Sequence, residues 1–440
     1  MDINRKTAYG VLLDMETNQS YSNLALNQYI EKNKPESPAF VRELVYGVTE
    51  NRILLDFYLA AQIPSGLRKV KKQDMTLLRM GIYQLLFMDS VPSYAAVSET
   101  VAMARRLCRG REGFINGVLR GFQRRLEGEN LPPLPDRGTD PVEYLSVRYS
   151  SARWLVELWM NAYGTEKTEM LLQASNGRPL LSLRVNRKKI ERDALMQQLR
   201  QDGFQVEEGS LSDRVILVTG KGTGILQHRL YKEGWFSVQD QASVLAADTL
   251  HPSAGNLVMD VCAAPGGKTM AMAEDMEANA GGGSAGSIYA FDIYEHKLKM
   301  MAEQADRLGI SIIKTRCQDA RQICEEFKEK ADCVLADVPC SGLGVIRRKP
   351  EIKLKETAEL DFAELEERQK EILHAASSYV KPGGSLVYST CTINPAENER
   401  QIEAFLAGHK DFAEKKRLQL LPGRETDGFF ICRLERAQKE

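Results

Sequence analysis

Residues 256–269 read NLVMDVCAAPGGKT. An apolar run closes on Asp260, and the turn Pro265-Gly266-Gly267 then leads into the helical pattern TMAMAEDM. A short run of β-formers bounded by turn residues reads as a buried strand. A strand, a glycine turn and a helix in succession make the first half of a βα unit. The pattern repeats downstream: SIYAFDI at 287–293, SIIKTRC at 311–317, DCVLADV at 332–338 and SLVYSTC at 385–391, with helical stretches between, one near 361–380. Such alternation requires right-handed crossovers, so residues 232–440 are expected to form an α/β, Rossmann-like, doubly wound domain.

Working outward, residues 1–135 read as all helical. Apolar residues recur at helical spacing in TAYGVLLDM, in FVRELVYGVTENRILLDFYLAAQI, in DMTLLRMGIYQLLFM, in YAAVSETVAMARRL and in FINGVLRGFQRRLE. The stretch GENLPPLPDRGTDP at 128–141 holds four prolines and two glycines and is taken as a domain boundary. Residues 142–231 then mix helix (ARWLVELWMNAYG, ERDALMQQLRQDGF) with strand (PLLSLRVN, DRVILVT), a small α+β module. The piece AGGGSAGS at 280–287 reads as a floppy surface turn.

With 440 residues, 43% hydrophobic and 27% charged, the chain has an ordinary globular composition, and a net charge of −1 leaves any polyanion binding to local patches. The charged start MDINRKTAYG lacks the apolar core of a signal peptide, and no run approaches the ~18 apolar residues of a membrane span. Eight cysteines without a CxxC pair argue against zinc and disulfides, so reduced thiols in a cytoplasmic protein are expected, with no metal and no membrane partner.

Ligands of open α/β sheets bind beyond the carboxyl ends of the strands. The five expected strands lead to Asp260, Asp292, Asp319, Asp337 and Cys391, which should line one crevice. Gly266 and Gly267 let a ligand approach the backbone. Asp292 follows Gly267 by 25 residues, where an acid for a ribose hydroxyl belongs. GxxxxGK[ST] and GxGxxG are absent, so a triphosphate loop is not indicated. A strand-end cysteine is ordinarily a small buried hydrophobe. DVPCSGLG at 337–344 and STCT at 389–392 place two beside an acid. Methylating carbon 5 of cytosine needs such a set. A thiolate adds to C6 and makes C5 enamine-like, an acid steadies N3 and N4, and a base then removes the C5 proton. On chemistry alone either Cys340 or Cys391 could attack.

VCAAPGGKT, DVPCSGLG and YSTCTINPAENE resemble the motifs of the RNA cytosine-5 methyltransferase family of the Nol1/Nop2/Sun type, over about residues 150–440. The N-terminal LLRMGIYQLLFMDSVPSYAAVSETVAMA and FINGVLRGF resemble the NusB-like RNA-binding domain. The combination is similar to bacterial enzymes acting on 16S ribosomal RNA. The resemblance implies that Cys262, Ala263, Ala264, Pro265, Gly266, Gly267 and Lys268 hold S-adenosyl-L-methionine together with Asp292 and Asp319, and that Asp337 touches both cofactor and base. It implies Cys391 as nucleophile and Cys340 as the residue that assists product release. Lys268 is a candidate cationic neighbour for the thiolate. In RRKPEIK at 347–353, Lys349 stands where the family's RRHPDIK has histidine.

Residues 105–125 carry seven arginines against one acid, Glu112. Arg105, Arg106, Arg124 and Arg125 are the candidate phosphate contacts, the plain alternative being a solvated helix face. Arg184, Arg187, Lys188 and Lys189 form a second candidate patch. The expected partner is 16S ribosomal RNA, naked or in an early small-subunit precursor, bound by a monomer. Two other readings predict different residues. A methyltransferase for a small molecule or protein needs neither the cysteine pair nor basic helices. A non-catalytic assembly factor would have an eroded glycine turn or a lost cysteine.

Overall fold

In the computed structural model, which describes residues 2–18, 22–220, 222–356 and 360–438, packing divides the chain into two compact units. The first takes in the described residues of Met1–Asn176 and Ile346–Glu359, the second those of Gly177–Val345 and Leu360–Glu440.

The first unit holds α1 (Ile3–Asn18), α2 (Ser22–Asn33), α3 (Pro38–Glu50), α4 (Arg52–Ala60), α5 (Lys72–Phe87), α6 (Ser93–Leu107), α7 (Glu112–Glu127), α8 (Pro141–Tyr149), α9 (Arg153–Tyr163) and α10 (Thr165–Ser175). Helix starts follow local chemistry. Ser37 and Asp140 accept from Phe40 N and Glu143 N, and each is followed by a proline at the first helical position. A core of Leu44, Leu55, Leu78, Ile115, Leu119 and Phe122 is sealed off from water. The turn-rich stretch 128–141 does not divide the compact units. The helices beyond it pack with the N-terminal ones, and Ser150 Oγ accepts from Ile53 N at 2.8 Å. The 346–356 segment also belongs here. The wholly buried Lys353 donates to Tyr149 O at 2.9 Å and Asn176 Oδ1 at 2.6 Å, and Ala152 N donates to Lys353 O.

The second unit holds two sheets. The smaller runs β2 (Val206–Glu208), β3 (Val215–Val218), β1 (Leu181–Val185), β4 (Phe236–Val238), with every pair antiparallel, and carries α11 (Arg192–Gln201) and α12 (Arg229–Lys232). In the larger, β5 (Leu257–Asp260), β6 (Ser287–Asp292), β7 (Ile313–Cys317), β8 (Ala331–Asp337) and β9 (Val380–Thr390) are parallel. Its order is β10-β11-β9-β8-β5-β6-β7. The chain first winds outward from β5 to β6 and β7, then returns to lay β8 on the other side of β5. The switch point therefore lies between β5 and β8. Helices α13 (Gln241–Leu250), α14 (Gly267–Ala278) and α15 (Glu295–Leu308) cover one face, and α16 (Phe362–Tyr379) and α17 (Glu399–Gly408) the other.

The five parallel strands stand where sequence patterning puts them. The antiparallel hairpin β10 (Phe412–Leu420) and β11 (Phe429–Arg436) is an addition to the expected sheet, so the sheet is mixed. At the end of the 280–287 turn Gly286 has φ +91°, and a Cβ there would lie 2.2 Å from Asn256 O, whereas Gly281 and Gly282 meet nothing within 4 Å. Among the described residues no helix is long and apolar enough to cross a membrane.

Candidate active site

Asp260, at the end of β5, is buried and accepts a 2.6 Å hydrogen bond from Thr269 Oγ1. Burial pushes its carboxyl up to about 7 and Asp337 adds to the shift, against the Thr269 bond and the Lys268 charge. Beyond it the turn is tied across strands, with Ala263 N donating to Phe291 O at 2.8 Å and Gly266 N to Ala263 O at 2.7 Å. Gly266 sits at φ +101°, and a Cβ there would come within 2.9 Å of Met301 Cγ, so only glycine fits. Gly267 then opens α14.

Asp292, at the end of β6, accepts from Ala264 N at 3.3 Å and from Tyr294 N at 2.9 Å. It thereby holds the glycine turn and its own loop together. Asp319 lies beyond β7, where Arg321 binds it at 2.7 Å and draws its carboxyl below the usual range. Cys262 sits amid these acids. Burial first, then the charges of Asp260, Asp337, Asp292 and Asp319, push its thiol far up.

Between β8 and the glycine turn, Lys268 Nζ lies 2.7 Å from Asp337 Oδ2, and Ser389 Oγ donates to Asp337 Oδ1 at 2.8 Å. Lys268 also stands over the Phe429 ring at 5.0 Å. Burial opposes the Lys268 charge, but Asp337, Cys391 and Asp260 outweigh it and hold the ammonium above its ordinary value. Cys340 Sγ and Cys391 Sγ are 3.2 Å apart. The contact with Cys391, then burial, then the charges of Cys391 and Glu397 push the Cys340 thiol well up. The switch point thus gathers two sulfurs, one ammonium and several carboxylates.

Sequence reading passed over several supporting groups. Ser341, Thr392, Gln369 and Glu397 interlock beneath the two cysteines. Glu397 lies within the motif YSTCTINPAENE and could have been singled out there as an acid that the folded core must bury.

The two basic patches fare differently. Arg105, Arg106, Arg109, Arg124 and Arg125 are exposed on α6, α7 and the link between them. Arg111 is structural, bound at 2.9 Å to the buried Asp74 and stacked 4.5 Å from the Phe114 ring. The patch expected at 184–189 does not exist as an open cationic surface. Arg184 is buried and donates to Glu274 at 3.0 and 2.7 Å and to Gly267 O at 2.6 Å. Arg187 pairs with Asp213, Lys188 with Glu277, and Lys189 donates to Glu233 O at 2.6 Å. Arg184 and Lys188 tie the small sheet to α14, because a buried cation must be matched by a carboxylate or carbonyl. Among the described residues no cluster of three or more His, Cys, Asp or Glu could hold a metal.

A parallel sheet with reactive side chains gathered at its switch point is the frame of Rossmann-like group-transfer enzymes, and comparison with known proteins sorts this one among the methyltransferases. The chain belongs to the 16S rRNA methyltransferase RsmB/F family, whose profile matches residues 247–435. The NusB family matches residues 2–124, and the ferredoxin-like domain of RsmF/B-like methyltransferases matches 152–223. The probable ribosomal RNA small subunit methyltransferase B of Bacillus subtilis (strain 168) is 40% identical, over 98% of each chain. Ribosomal RNA small subunit methyltransferase B of Vibrio cholerae is 35% identical, over 99% of this chain and 98% of its own. Among solved structures, that of PH0851 covers 99% of both chains with a TM-score of 0.80 and 27% identity. A methyltransferase homolog from Pyrococcus horikoshii covers 68% of this chain and 99% of its own, with a TM-score of 0.60 and 26% identity.

Proposed function

We propose that the protein methylates carbon 5 of a cytosine in 16S ribosomal RNA, with S-adenosyl-L-methionine as donor and Cys391 as covalent nucleophile. One observation carries this reading: two thiols 3.2 Å apart beside a lysine–aspartate pair at the switch point. A methyltransferase acting on a nucleophilic oxygen or nitrogen needs no such pair.

The donor site fits this chain. The Asp292 carboxylate, at the end of β6 and beside the Ala264 amide, suits a ribose diol. Cys262 to Lys268 would line the cofactor with Asp319 and Asp337. When bound, S-adenosyl-L-methionine supplies an electrophilic methyl group.

Lys268 favours the thiolate of Cys391. Attack on C6 forms the sulfur–carbon bond and moves the C5–C6 electron pair to C5, which takes the methyl. Asp337 faces N3 and N4 of the base and steadies the adduct. A base takes the C5 proton, the C5–H electron pair re-forms the C5–C6 double bond, and the sulfur–carbon bond breaks to return the Cys391 thiolate. Cys340 assists this release. The base must leave its stack to be reached, so the target is unpaired or flipped. Arg105, Arg106, Arg124 and Arg125 supply phosphate contacts. A ribosomal RNA substrate, naked or in an early precursor, places the reaction in the cytoplasm.

Methyl-tritiated donor offered to naked 16S RNA and to small subunits, followed by nucleoside analysis and bisulfite mapping, tests the reading. Label recovered as 5-methylcytidine at one position is expected. Label on another base or on protein refutes it.

A further inference from the structure

We propose that Glu397 is the positioning residue that sets the spacing of the two cysteines. Its side chain is wholly buried, and it accepts hydrogen bonds from five donors, the longest from Thr392 Oγ1 at 3.4 Å. Ser341 N and Gln369 Nε2 reach Oε2 at 2.8 and 3.0 Å, and Ser341 Oγ and Asn394 Nδ2 reach Oε1 at 2.5 and 3.1 Å. Ser341 directly follows Cys340, and its hydroxyl lies 2.8 Å from Thr392 Oγ1, which directly follows Cys391. The two cysteine loops, 51 residues apart in the chain, are thereby fastened to one carboxylate.

The pocket requires an acceptor without hydrogens. Every group around Glu397 donates, and a carboxylate is the side chain that only accepts. An amide with its NH2 at the Oε2 position would face the Ser341 backbone N–H, which cannot turn away, and with its NH2 at the Oε1 position it would need the Asn394 amide to flip, against the bond that Asn394 Oδ1 accepts from Ala396 N. The buried network is satisfied only as a whole, so one misfit loosens it. Glu397 is pinned in turn, since Tyr388 Oη donates to its backbone carbonyl at 2.7 Å. Glu397 touches neither sulfur through these bonds. It acts through Ser341 and Thr392, and its effect should appear as geometry rather than as RNA binding.

The inference rests on the proposed cysteine chemistry, but its test reads the spacing directly. The reduced full-length protein is treated with diamide, which takes two electrons and two protons from the thiols and becomes a hydrazine. Closure of the Cys340–Cys391 disulfide is followed by mass spectrometry of the joined peptides. Glu397→Gln should close on the order of 10-fold more slowly than wild type, because an intramolecular rate follows the held geometry. Ser341→Ala, which removes one arm of the network, should fall between. In methylation assays kcat should drop by a similar factor while KM for RNA moves by less than about twofold. Closure at the wild-type rate in Glu397→Gln, or in Ser341→Ala should the first variant not fold, overturns the proposal. If the cysteine chemistry itself were wrong, Cys391→Ala would keep its turnover while the closure rates still separated the variants.

Discussion

Lys268 Nζ stands 2.7 Å from Asp337 Oδ2 and interacts electrostatically with Cys391, while Cys340, 3.2 Å from Cys391, is pressed toward its neutral thiol. The two sulfurs touch, and the proposed mechanism gives them different tasks. Cys391→Ala should abolish methylation and leave no covalent RNA adduct. Cys340→Ala should permit attack and methyl transfer, then stall, leaving a protein–RNA adduct on a denaturing gel. An adduct with Cys391→Ala and none with Cys340→Ala would reverse the roles.

Asp292, the proposed ribose contact, also holds the Ala264 amide. Asp292→Ala should weaken S-adenosyl-L-methionine binding by about 1.5–3 kcal/mol for each charge-assisted bond lost. Calorimetry reads this directly, and an unchanged affinity would remove Asp292 from the cofactor site.

The exposed arginines of α6 and α7 should supply affinity without chemistry. Replacing Arg105, Arg106, Arg124 and Arg125 should weaken RNA binding and lower its salt dependence by about one unit of slope per phosphate contact. Cofactor binding should stay intact. A salt slope equal to that of wild type would mark these side chains as a solvated face.

Burial pushes Lys353 down to about 7, so its folded value lies below the unfolded lysine value of about 10.4. Between those values the unfolded chain binds the extra proton, and stability rises with pH. From pH 7 to 8.5, wild type should gain about 1 kcal/mol per pH unit relative to Lys353→Met, read by urea unfolding at each pH. A constant gap would show that Lys353 stays charged in its hydrogen bonds to Tyr149 and Asn176.

Arg184 and Glu274 are both buried and paired. Arg184→Met should cost about 3–5 kcal/mol, because it strands the Glu274 carboxylate, and the double change with Glu274→Met should recover most of that. Denaturant titration of the three variants checks this, and additive losses would show that the pair does not act as a unit.

The sequence by itself determined what depends on neighbours along the chain. Apolar runs ending at Asp260, Asp292 and Asp337, bounded by turn residues and alternating with helical stretches, read as buried strands. The turn at Gly266 was legible because Pro265-Gly266-Gly267 stands between an apolar run and a helical pattern. The motifs around Cys340 and Cys391 marked two reactive loops. Tertiary structure alone decided what those loops share. The contact between the sulfurs, the Lys268–Asp337 pair spanning 69 residues and the fastening of both loops to Glu397 arise from strand order, which no local pattern encodes. It also decided the fate of the charges. Arg184 and Arg105 look alike in sequence, yet one lies buried against Glu274 and the other stands in solvent. A charge can be buried only where folding delivers an opposite charge to it, and that partner lies 90 residues away.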